Sequence, residues 1–227
     1  MESYPGRVES MDLAHKYISI EGPMCVGKTQ LAQTLAKRLN GRAVLEPMEN
    51  PFLERFYTDM ENYAFRTQMF FLLTRYEQQR EILQLHLFEQ CVITDYLFDK
   101  NRIFAYLTLS DDELLIYDKV YRLISRSVPK PDLVIYLQAS TRVLQKRIRE
   151  RGKPFERYVS QDYLFEMNKC YNTFFLGYED APLLVVNTDN VDFTNPKELE
   201  GLIDEMKRLN YGKRYYAPNL DLRRLRI

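Results

Sequence analysis

The residues whose order speaks most directly of chemistry are GPMCVGKT, positions 22–29. They fit the pattern G-x-x-x-x-G-K-[ST], with Gly22, Gly27, Lys28 and Thr29 at its fixed positions. The residue types follow from the task. Glycines let backbone N–H groups converge on phosphate oxygens, a lysine carries a positive charge to the β- and γ-phosphates, and a hydroxyl suits Mg²⁺. The expected ligand is ATP with Mg²⁺. Cys25 stands at a variable position of the pattern, where its type implies no chemistry of its own. A phosphate loop alone does not separate a kinase from an ATPase, a GTPase or a nucleotide-driven switch.

Such a loop works only where a strand leads in and a helix leads out. YISIE (17–21) reads as the strand and KTQLAQTLAKRL (28–39) as the amphipathic helix. Further apolar runs predict strands at Arg42–Leu45, Cys91–Thr94, Leu133–Leu137 and Leu183–Val186. Helical patterns cover Lys28–Asn40, Phe52–Gln90, Asp111–Ser127, Thr141–Arg151, Gln161–Tyr178 and Pro196–Leu209. Strand and helix in alternation imply right-handed crossovers and a five-stranded parallel sheet with helices on both faces, an α/β P-loop NTPase fold. No repeat or long linker divides the 227 residues, so a single domain is expected, with flexible ends at 1–15 and 211–227. The second end carries Arg214, Arg223, Arg224 and Arg226, and reads as a solvated tail, a dimer arm or a helper at the site.

Lys plus Arg and Asp plus Glu balance at 32 each, so no global field points to nucleic acid or an anionic membrane. No apolar run approaches the length of a bilayer span, and residues 1–15 have neither a signal-peptide nor a transit-peptide character. Three scattered cysteines, Cys25, Cys91 and Cys170, argue for a reducing cytoplasm over a disulfide framework.

Glu46 falls at the carboxyl end of the second strand in VLEPMENPFL (44–53), the edge where α/β folds bind ligands. After it come FLERFYTDM (52–60), YAFRTQMFFLLTRY (63–76), VITDYLFDKNRIFA (92–105), PDLVIYLQAS (131–140), RIRERGKPFER (147–157) and PLLVVNTD (182–189). Taken in order, from about Tyr17 to Leu209, these resemble the deoxynucleoside kinase family, and most closely its bacterial deoxyadenosine and deoxyguanosine kinases. The resemblance implies ATP-dependent phosphorylation of a deoxynucleoside 5′-hydroxyl. It makes Glu46 the carboxylate that accepts the hydroxyl proton, a role a neutral hydroxyl nucleophile requires. It matches Tyr57 and Glu156 to the pair that holds the sugar 3′-OH, Gln68 and Arg75 to the readers of the base edge, and Phe104 to the ring that stacks on the base. Arg75 lies seven residues beyond Gln68, on the same helical face. Arg147, Arg151 and Lys153 match an arginine-rich lid over the transferring phosphate, and Asp95 the acid near Mg²⁺. A homodimer is also implied, for which 70–90 has enough apolar surface, although that stretch could equally be internal core.

The match departs in one place. Many members carry an arginine directly after the acid that Asp95 matches, where this chain has Tyr96 and Leu97. Lys100 or Arg102 is positioned to replace it, and either Asp99 or Lys100 falls where animal members have a base-pocket Asp. Two rival readings remain: a nucleoside monophosphate kinase such as thymidylate kinase, disfavoured by the acidic LEPMENP, and a non-catalytic member serving as an assembly subunit. Purine deoxynucleosides are expected over thymidine, because Arg75 beside a 5-methyl group would lose water without gaining an acceptor.

Overall fold

The computed structural model describes residues 15–218 except 48, 86–88, 154, 155 and 157. Six parallel strands form one sheet: β1 (Tyr17–Glu21), β2 (Arg42–Val44), β3 (Val92–Thr94), β4 (Leu133–Gln138), β5 (Leu183–Asn187) and β6 (Lys213–Tyr216). Their spatial order is β2-β3-β1-β4-β5-β6. In the centre, Ile18 pairs with Ile93 on one side and with Leu133 on the other.

The unbroken apolar strands are explained by helices on both faces. Along β4, Leu133, Ile135 and Leu137 enter a cluster with Leu31 and Leu35 of α1 (Lys28–Arg38) and Leu202 and Met206 of α8 (Pro196–Arg208). The alternate residues Val134 and Tyr136 enter a second cluster, with Ile103 of α4 (Lys100–Thr108) and Met167, Tyr171 and Phe175 of α7 (Gln161–Leu176). A third cluster joins α3 (Met60–Leu85) to α4 and α5 (Asp111–Ile124) through Leu72, Ala105 and Tyr117.

Local signals set the helix ends. Ser110 and Glu113 form a reciprocal capping box on α5. Ser140 caps α6 (Thr141–Arg151), which stops at the left-handed Gly152. Asn195 caps α8 just ahead of Pro196, the residue best suited to a first helical position.

Four expectations need correction. The sheet has six strands instead of five, and the supposed flexible end at 211 runs directly into β6. Leu183–Val186 of β5 pairs with Lys213–Tyr216. Tyr216 tucks its hydroxyl against α8 at Gly201, where an added Cβ would lie 2.5 Å away, and Arg214 pairs with Glu205 at 2.9 Å. In KRYY only one face is covered, so the segment lacks the apolar run that marks the central strands. A further correction is α4, which follows β3 and opens on the buried polar pair Lys100 and Asn101, with its apolar residues in one run (103–107) and not at helical spacing. The expected Phe52–Gln90 helical stretch divides at Asp59 into α2 (Leu53–Thr58) and α3. Residues 1–14 and Arg223, Arg224 and Arg226 lie outside the described residues.

Candidate active site

Between the end of β1 and the start of α1, the backbone turns left-handed at Gly22 (φ 152°), Cys25 (φ 59°) and Gly27 (φ 108°). Alternating handedness of this kind points successive N–H groups into one concavity. Gly22 is fixed by space as well: a Cβ there would sit 2.4 Å from the Leu137 carbonyl oxygen. Beneath the loop, buried Glu21 accepts from the N–H groups of Gly22 and Leu97 and from the Tyr171 hydroxyl, tying β1 to the segment after β3 and to α7.

Lys28 Nζ donates to the carbonyls of Gly22 (2.7 Å) and Pro23 (3.0 Å). Burial, reinforced by the nearby Lys100 charge, pulls its ammonium down to about 8. An anion in the cradle would oppose that pull. Thr29 donates its hydroxyl to Asp95 Oδ2, while Asp95 Oδ1 accepts from the Glu46 backbone N–H. One carboxylate therefore locks the phosphate loop to the end of β2.

Glu46 is the electrostatic centre of the site. Arg75 donates Nε (2.9 Å) and Nη2 to its Oε1, and Lys100 Nζ donates to Oε2 at 2.7 Å. Arg75 in turn gives Nη1 to Asn101 Oδ1 and lies over the Phe71 ring. Burial by itself would push the Glu46 carboxyl up. Lys100, Arg75 and Lys28 outweigh burial and hold it far below the usual carboxylate range. The resting carboxylate is thus ionised, and two cations fix its direction.

These groups line one cavity of about 730 Å³, which has two ends. Gly27, Lys28, Thr29, Arg147, Arg151 and Lys153 border the phosphate end, and Tyr57, Gln68, Arg75, Lys100, Phe104 and Glu156 the other. Of the residues expected in the site, Gly22 alone supports the wall from behind instead of lining it.

Several side chains have partners that sequence did not anticipate. Arg147 is held by the carbonyls of Val26 (3.3 Å) and Thr188 (2.7 Å), so it braces the phosphate loop against the segment after β5. Arg151 reaches Cys25 Sγ (3.4 Å) and pairs with Glu156 at 3.3 Å. Glu156 is buried, and its Oε2 has no hydrogen-bond partner. Burial raises its carboxyl, with Arg151 and Lys153 pulling the other way. Burial and then the Glu156 charge push the Tyr57 phenol up, keeping its proton available for donation. Gln68 Nε2 donates to Thr108 Oγ1 at 3.3 Å.

The gap after Asp95 is filled by Lys100. Arg102, the other candidate, turns away to the Tyr106 hydroxyl and the Tyr121 ring. Asp99 likewise accepts from the Tyr121 hydroxyl at 2.8 Å and does not line the cavity. Sequence reasoning missed Thr67 and Tyr171, which line the cavity, and Asn101, which holds Arg75 from behind; none belongs to a motif of its own.

The oxygen donors of Thr29 and Asp95 suit Mg²⁺, which takes one or two protein oxygens alongside substrate phosphates and water. No group of three or more His, Cys, Asp or Glu among the described residues could hold a metal by itself.

Residues 18–209 match the deoxynucleoside kinase family. The chain is 36% identical to a deoxyguanosine kinase of Bacillus subtilis, over 85% of this chain and 97% of that protein. It is 30% identical to the deoxyadenosine/deoxycytidine kinase of the same organism, over 83% of this chain and 90% of that protein. Among solved structures, the deoxyadenosine kinase of M. mycoides with bound dATP superposes with a TM-score of 0.74 at 26% identity, covering 85% of this chain and 99% of that one.

Proposed function

Since the chain belongs to the deoxynucleoside kinase family, it transfers a phosphoryl group from ATP to the 5′-hydroxyl of a deoxynucleoside, and we propose that Glu46 is the proton acceptor of that transfer. Purine deoxynucleosides are favoured substrates, and ADP and the 5′-monophosphate are the products. The observation that carries the assignment of Glu46 is its clamp: a buried, ionised carboxylate held by Arg75 and Lys100 and facing the phosphate loop across one cavity.

The roles follow from charge and position. Backbone N–H groups of the loop beyond Pro23, together with Lys28, bind the donor's phosphates, and Arg151 and Lys153 offset charge developing on the transferred group. The 5′-hydroxyl donates its hydrogen bond to Glu46. As the bond to phosphorus forms, the attacking oxygen becomes more acidic and its proton passes to that carboxylate. A base held so far down is suited to a late transfer, and the loose transition state of phosphoryl transfer demands no early one. Tyr57 donates to the sugar 3′-OH, and that hydroxyl donates onward to the orphaned Glu156 Oε2. Phe104 stacks on the base, with Gln68 and Arg75 at its edge. Thr29 and Asp95 would hold Mg²⁺, which supplies charge neutralisation at the phosphate oxygens when bound.

A homodimer through α3 and α5 is part of this reading. Leu73 and Leu83 on α3 and Leu115, Ile116 and Leu123 on α5 are all exposed. So is a cytoplasmic setting, supported by three free cysteines among the described residues. No helix of the described residues is long and apolar enough to cross a membrane.

The deciding assay is ADP release with ATP and a panel of deoxynucleosides and their monophosphates. Turnover on deoxynucleosides alone is expected. Turnover restricted to monophosphates would replace this reading with a monophosphate kinase, and none at all would leave an assembly subunit.

A further inference from the structure

The nucleoside end of the cavity holds more hydrogen-bond donors than acceptors, and Lys100 is the reason. Its side chain is 8% exposed, with Nζ 2.7 Å from Glu46 Oε2 and 5.6 Å from the centre of the Phe104 ring. An ammonium has three N–H bonds, and Glu46 takes one. Arg75 has five: two go to Glu46 and one to Asn101. Both cations therefore retain donors where they line the cavity. The neighbouring carboxylate that could balance them, Asp99, is turned out to Tyr121. Glu46 is already occupied by the same two cations. The carboxylate acceptor that remains at this end, Glu156 Oε2, is assigned above to the sugar, and the others are neutral: the Thr67 hydroxyl, buried without a partner, and the Gln68 amide oxygen.

Purines differ at the edge such donors would meet. Guanine offers O6 and N7, both acceptors, whereas adenine offers N7 and an amino group that can only donate. An amino group facing Lys100 would set donor against donor in a buried site, and an oxo group there would be satisfied. Hypoxanthine shares O6 and N7 with guanine but has no 2-amino group.

We propose that Lys100 is a specificity-determining residue of the nucleoside site and selects 6-oxopurine over 6-aminopurine deoxynucleosides. The proposal rests on the deoxynucleoside kinase reading and adds to it the side chain that chooses the base.

The test measures kcat/KM for deoxyguanosine, deoxyinosine and deoxyadenosine at fixed ATP. Wild-type enzyme should prefer deoxyinosine to deoxyadenosine by roughly tenfold or more, the scale of discrimination expected when a buried donor lacks an acceptor. Lys100→Met removes a Glu46 partner, so kcat should fall with every nucleoside, because all share the same 5′-hydroxyl. A base-reading role predicts in addition that the deoxyinosine-to-deoxyadenosine ratio collapses, and that Lys100→Arg, which restores donors, recovers it. Should Lys100→Met fail to fold, the wild-type ratio and Lys100→Arg still decide. A ratio at or below one in wild type overturns the proposal. So does a preserved ratio in Lys100→Met with reduced kcat, which would leave Lys100 a positioning residue only. Wild-type enzyme inactive on all three nucleosides would instead sink the kinase reading itself.

Discussion

The two ends of the cavity are built on different plans. The phosphate end is dominated by one short run, 22–29, whose backbone turns left-handed at Gly22, Cys25 and Gly27. The nucleoside end draws side chains from position 46 to position 156, and Gln68, Arg75 and Lys100 are each aimed by a partner far away in sequence. Arg75 and Lys100 come from α3 and α4 and meet on a residue that ends β2. A backbone cradle serves any phosphate. A cage of side chains can be changed one position at a time, which is where substrate choice belongs.

Breaking the nucleoside end at its centre should have the largest effect. Glu46→Gln is expected to lower kcat by roughly 10²–10⁴ with a modest change in KM, the range of positioned acid–base catalysis. An unchanged kcat would remove Glu46 from the chemistry and leave it a structural hub for Arg75 and Lys100. At the phosphate end, Lys28→Ala should stay folded by circular dichroism while kcat/KM for ATP falls by about 10²–10³. Simple unfolding would show the lysine to be structural.

The sign of the pH response sharpens the same comparison. In its proposed role Lys28 binds phosphate as a cation, and burial holds it down to about 8. Its kcat/KM for ATP should therefore decline above about pH 8, and Lys28→Arg should remove that decline. Unfolded chains keep this lysine protonated to its ordinary 10.5. The folded protein binds fewer protons between the two values, so stability relative to Lys28→Met should rise across that window while activity falls. A parallel loss of both would contradict the assignment.

The smallest effect is expected at the sugar. Tyr57→Phe deletes one neutral hydrogen bond, so KM for the nucleoside should rise about tenfold with kcat little altered. A 3′-deoxy substrate should lose that penalty. If the variant discriminates against the 3′-deoxy compound as strongly as wild type does, Tyr57 does not touch that hydroxyl.

How much of this was legible before folding depended on where the information lies. The phosphate loop declares itself because its residues are contiguous and its glycines answer a local demand for left-handed backbone. The central strands declare themselves because burial on both faces leaves long apolar runs. Strand β6 does not, since one face of KRYY meets solvent and its pairing depends on β5 being there first. Helix α4 was hidden for a similar reason: Lys100 and Asn101 are buried and polar, which reads as surface until their partners are known.

Sequence by itself determined the phosphate loop, the α/β order of elements and, through ordered motifs, the reaction and many of the polar residues that line its cavity. Only the tertiary structure decided that Lys100, and neither Arg102 nor Asp99, faces Glu46. The choice turns on which side of one helical turn meets the end of β2. It also decided that Arg75 grips the carboxylate while lining the cavity, and that Arg147 braces a carbonyl-lined corner. Those outcomes depend on distances between residues far apart in the chain, and hydrogen-bond direction at such distances is fixed by packing and not by local propensity.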